Sequence, residues 1–147
     1  MMDKKLLKFI LIFFVLNISV SCKGQDNASE LTTTWHEVKK QGNNYFIIDC
    51  GYEGNWIKIQ SDSITDHGIM EENTFRIQRV AKGNKATSFY IDEKEKYEIS
   101  WVDKNKGIIK LINGVDNNSL KYYVNESHLK KIKKIKGTNK DCITSEE

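Results

Sequence analysis

The sequence predicts an all-β fold, a mainly antiparallel meander closed as a small barrel or sandwich, with one short C-terminal helix. Two observations lead there. From Trp35 onward, short runs of β-branched and aromatic residues recur at spacings of roughly ten residues, each bounded by Gly, Asn or Asp, which is the rhythm of hairpin-linked strands. Between Trp35 and Val124 no stretch keeps a helical period long enough for a helix, and hairpin-short connections leave no room for parallel crossovers. About seven to nine strands are expected on this pattern.

The first clear strand is Tyr45–Cys50, apolar on both faces at its centre and closed by Gly51 and Gly54. Trp56–Gln60 alternates, with Ile57 and Ile59 on one face. Asp62–Thr65 adds a short strand before the Asp66-His67-Gly68 turn. Phe75–Val80 follows as one strand, then Thr87–Ile91 with Thr87, Phe89 and Ile91 on one side. Tyr97, Ile99 and Trp101 point inward from the next strand. Asp103–Gly107 makes a hairpin into Ile108–Ile112, and Asn113-Gly114 turns the chain into Leu120–Val124. In the last piece, Leu129, Ile132 and Ile135 lie three apart and form one stripe on a helix spanning Ser127–Lys136. Asn125 or Ser127 caps its start, and Gly137 lies past its end.

Ahead of these strands, Lys4, Lys5 and Lys8 precede an apolar run from Phe9 to Leu16, then small residues ending in Ser21 before Cys22. That is the layout of a secretory signal. The run is too short to cross a bilayer core, which takes about 20 apolar residues as a helix. A cysteine directly after the small residues resembles the lipobox of bacterial lipoproteins, and the Ser-Cys-Lys-Gly-Gln start is similar to lipoprotein leaders of the Bacteroidota. Ser19 stands where that family usually has Leu. The resemblance implies cleavage before Cys22, acylation of Cys22, and a protein held at a membrane it does not span. Cleavage by the ordinary signal peptidase, with Cys22 left as a thiol, is the alternative. The expected organisation is a signal peptide at 1–21, a lipidated cysteine and polar tether at 22–34, and one β-rich domain at 35–147 with a basic C-terminal helix and tail. A cell-envelope location follows, with outer membrane as the expected anchor site.

Charge narrows the partners. The net charge of +3 belongs largely to the leader: without Lys4, Lys5, Lys8 and Asp3, the 23 basic and 20 acidic residues become 20 and 19. Such balance argues against a nucleic-acid partner, which calls for a basic excess gathered on one face. The basic residues that remain clustered are Lys130, Lys131, Lys133, Lys134 and Lys136. They read either as a surface for an acidic partner or anionic lipid, or as the solvated side of an element packed on the domain.

With Cys22 acylated, Cys50 and Cys142 remain, and an oxidising envelope favours their bridging. Closing a loop of about 90 residues is worth roughly 4–5 kcal/mol on the chain-entropy model. The alternative is a buried Cys50 and a loose Cys142. Histidines His36, His67 and His128 share no metal-ligand spacing, and no nucleophile elbow, phosphate loop or dinucleotide fingerprint occurs. No catalysis, cofactor or metal is therefore expected. The abundant aromatics mostly fill the core, while Tyr90 and Tyr123, placed outward, are candidate interface anchors. The expected role is a non-catalytic binding module for an envelope protein or glycan, inhibitor or immunity protein being one form. The alternative is a lipocalin-like carrier of a small apolar ligand.

Overall fold

The computed structural model describes residues 29–142, so the leader and Cys22 lie outside the described residues. Eleven strands follow one another: β1 (Thr34–Gln41), β2 (Asn44–Asp49), β3 (Trp56–Ile59), β4 (Ser63–His67), β5 (Glu72–Arg76), β6 (Arg79–Lys82), β7 (Thr87–Tyr90), β8 (Lys96–Asp103), β9 (Ile108–Asn113), β10 (Ser119–Asn125) and β11 (Lys133–Lys136). Nine of them form one curled antiparallel half-barrel in the order β5-β4-β3-β1-β10-β9-β8-β7-β6. The predicted all-β, mainly antiparallel class is what the chain adopts.

Two features of the path were not visible in local pattern. Phe75–Val80, expected as one strand, is divided between β5 and β6, which sit at opposite ends of the sheet. The division falls between neighbouring amides. Ile77 N–H donates to Asp62 O at 2.7 Å on the β4 side, and Gln78 N–H donates to Tyr90 O at 2.8 Å on the β7 side. Alternation continues through the bend, with Phe75 and Ile77 both packed on the core, so periodicity alone gives no sign that the partner strand changes. The second feature is β1, hidden in sequence by Lys39 and Lys40. It lies inside the sheet between β3 and β10, where Trp35 pairs with Ile57 of β3 and with Asn125 of β10.

The C-terminal segment departs further. Ser127–Lys136 is not a helix: Glu126–Lys131 makes a 3-10 turn and Lys133–Lys136 is a strand. Asn125 caps the turn, its side chain accepting from His128 N–H at 3.0 Å. Ile132 then leaves in an extended conformation, and β11 pairs in parallel with β2, Ile135 opposite Ile48. The free edge of β2 supplies the backbone hydrogen bonds that a helix would have made internally. Leu129 and Ile132 still pack inward, against Val38, Ile108 and Val124. Ile135 remains 39% exposed, so the apolar stripe is divided between two elements. The short C-terminal helix lies further on, at Asn139–Cys142. Cys142 is bonded there to Cys50, with the two Cα atoms 5.6 Å apart.

Inside the curl, Trp35, Ile57, Ile64, Tyr97, Ile99 and Ile109 are buried, with Phe89 and Leu111 beside them. Burying a side chain of this size contributes about 1.5–3 kcal/mol each, so this cluster is the main source of stability. Leu31, expected in a flexible tether, is part of it. Its carbonyl accepts a 2.9 Å hydrogen bond from Trp35 Nε1, which draws the preceding segment onto the domain.

Candidate binding site

Two grooves open near opposite ends of β8, one polar and acidic, the other basic. The first has a volume of about 340 Å³ and is lined by Asp66, Glu71, Phe75, Tyr97, Asp116 and Lys121, among others. Its centre is Asp66, carried inward by β4. Asp66 Oδ2 accepts from Tyr97 Oη at 3.1 Å and from Asn113 Nδ2 at 3.1 Å. Burial pushes the Asp66 carboxyl above the ordinary carboxylate range, against the opposing pull of the Tyr97 hydroxyl and Lys121. Burial and the neighbouring Asp66 likewise push the Tyr97 phenol up.

Glu37, inward on β1, is held differently. Burial alone would raise its carboxyl, but Lys121, Lys39 and Asn55 together bring it below the ordinary value. Lys39 Nζ lies 2.6 Å from Oε1, while Asn55 Nδ2 at 2.9 Å and Lys121 Nζ at 3.5 Å approach Oε2. Two inward carboxylates, on β1 and β4 with β3 between them, therefore differ in kind: Glu37 is a satisfied anion, and Asp66 a reluctant one.

The second groove, about 550 Å³, runs beside the last residues of β8 and is lined in part by Leu31, Lys85, Thr87, Trp101, Lys104 and Lys110. Trp101 packs edge-on against Trp35, ring centres 5.6 Å apart. Lys104 Nζ sits 5.3 Å from the centre of the Trp101 ring and 3.0 Å from Glu30 Oε2.

Of the residues singled out in sequence, the structure brings Cys50 and Cys142 together as the expected bridge. Tyr123 is corrected: it faces the interior at 3% exposure and cannot serve as a surface anchor. The cause is register, since Tyr123 pairs with Glu37 and shares its inward face, leaving Tyr122 on the other side. Tyr90 is half-buried under the Arg79 guanidinium, whose carbon lies 3.7 Å from the ring centre. Lys130, Lys131, Lys133, Lys134 and Lys136 are all exposed, but they spread over the 3-10 turn and β11 rather than along one helix face. His67 stacks on Trp56 at 4.6 Å and contacts Glu72 Oε2 at 3.3 Å. Among the described residues no group of three or more His, Cys, Asp or Glu could hold a metal ion.

Sequence reasoning missed Glu37, Asp66, Lys121 and the lysines around Trp101. A carboxylate at an inward strand position was the available signal for the first two. It was obscured because β1 went unread and Asp66 was assigned to a turn.

Comparison with family models, with curated protein sequences and with solved structures gave no match. Among the described residues no helix is long and apolar enough to cross a membrane.

Proposed function

We propose that the chain is a lipid-anchored, non-catalytic binding module of the cell envelope, tethered through acylated Cys22 and engaging a protein partner at the rim of its half-barrel. The packed interior carries this reading. Trp35, Ile57, Ile64, Tyr97 and Ile109 are at 0% exposure, so bulky side chains fill the space a carried apolar ligand would occupy. The grooves lie at the rim, where a partner has access. A lipocalin-like carrier role has correspondingly less support. The leader motivates the anchor: two or more acyl chains hold a protein stably on a bilayer, whereas one does so only marginally.

Two measurements test the proposal. Cys22→Ser should move the protein from the membrane to the soluble fraction and abolish incorporation of a labelled fatty acid. Cross-linking on intact cells should capture a discrete envelope protein in an amount that follows the anchored form. A wild-type protein that is unlipidated and soluble after fractionation would refute the anchor. A chain that extracts stoichiometrically with a lipophilic small molecule would favour the carrier.

A further inference from the structure

The basic groove has a second property besides its charge: it lies along an open strand edge. β7 pairs with β8 only as far as Thr87 opposite Ile99, whereas β9 follows β8 to Asp103 opposite Ile108. The chain before β7 turns away, Gly83 N–H donating to Ala86 O at 2.8 Å. Beyond Ile99, therefore, β8 has β9 on one side and, among the described residues, no strand on the other. Lys96 O accepts from Gly114 N–H on the β9 side, and a strand's backbone groups alternate in direction, so those of Trp101 are turned toward the groove.

Around this edge stand Lys85, Lys104 and Lys110, with no acidic residue in the lining. Lys85 and Lys110 make no ion pair among the described residues, and Lys104 has Glu30. An edge of this kind accepts an added strand through main-chain hydrogen bonds, while the flanking side chains select what that strand carries. Trp101 is occupied by Trp35 and Lys104, which leaves little open ring face for stacking a sugar.

We propose that this groove binds an extended acidic peptide segment of a partner protein, which adds as a strand beside Ser100–Asp103 of β8 and sets its carboxylates against Lys85, Lys104 and Lys110. The assignment rests on the binding-module reading above and specifies the partner's chemistry. The full-length protein in detergent micelles, titrated with a labelled peptide of alternating Glu and Thr, tests it. Binding is expected, weakening about tenfold or more in Lys85→Glu/Lys110→Glu and falling as salt is raised. The same peptide N-methylated on alternate amides should not bind. Lys85→Gln alone, at an exposed turn position, should give a smaller loss in the same direction and keeps the test valid should the double variant misfold. Equal binding by the charge-reversed protein or by the N-methylated peptide overturns the assignment, as does binding of a polyuronate fragment but not of the peptide. If the double variant cross-links its envelope partner as well as wild type, the groove is wrong and the binding role stands. If neither protein captures any partner, both fall.

Discussion

Tyr97 on β8 donates its hydroxyl to Asp66 on β4 at 3.1 Å, joining strands well separated in the sheet across the mouth of the half-barrel. Asn113 reaches the same carboxylate oxygen from β9. A carboxylate that resists ionisation is thus retained as an acceptor for two donors. Asp66→Asn keeps an acceptor while removing the buried charge and should change stability by less than about 1 kcal/mol. Asp66→Ala leaves the donors unpaired and should cost about 1–3 kcal/mol. Urea unfolding of both variants checks the contrast, and equal losses would show that the hydrogen bonds contribute little.

Stability should fall on acidification in two stages. Burial lowers the His36 pKa from its ordinary 6.5, outweighing Glu126 and Glu53, so the unfolded chain takes up the proton first. Its contribution is present above about pH 6.5 and is lost as pH falls toward the folded value. Glu37, with its folded pKa lowered from 4.5, adds stability that is lost as pH falls below that range. Asp66, shifted upward, acts in the opposite sense. Unfolding free energies from pH 7 to pH 4 should show a slope setting in below about pH 6.5 that His36→Gln flattens. An unchanged slope would place the titration elsewhere.

The disulfide spans 92 positions and links the tail to the end of β2. Cys50→Ala/Cys142→Ala should therefore lose about 4–5 kcal/mol on the chain-entropy model. Denaturant titration, alongside mass measurement with and without reductant, checks both the bond and its worth.

Gly137 lies against that bridge. A Cβ there would fall 2.7 Å from Ile48 Cγ2 and 3.0 Å from Cys50 Sγ, and closer still to Cys142 Sγ. Gly137→Ala should raise the fraction of free thiol and lower the thermal midpoint. Gly54→Ala, with nothing within 4 Å of the added atom, should do neither. Thiol counting under native conditions separates the two.

Ile64 is wholly buried between the sheet's two halves, and Ile64→Ala should cost about 2–5 kcal/mol. A loss under 1 kcal/mol would mean that the half-barrel collapses readily around the gap.

Strand identity was legible wherever side chains alternate regularly, as at Trp56–Ile59, Tyr97–Trp101 and Ile108–Ile112. The inward placement of Tyr97 and Ile99 was legible for the same reason. With Cys22 expected to be acylated, Cys50 and Cys142 were the pair left to bridge, as they do. The polar mouth and the basic groove were not legible. Asp66, Tyr97 and Asn113 meet only because the sheet curls, and Lys85 and Lys104 line one groove where the pairing of β7 with β8 ends at Ile99.

From its sequence alone, then, this chain determined an all-β, antiparallel class, since alternation and composition act within a few residues. Only the tertiary structure decided that Tyr123 turns inward, that Ile132 ends a turn rather than continuing a helix, and that β5 and β6 part at Ile77. Each depends on which distant backbone offers its hydrogen bonds. That choice is settled by long-range pairing and shared burial, to which local periodicity is blind.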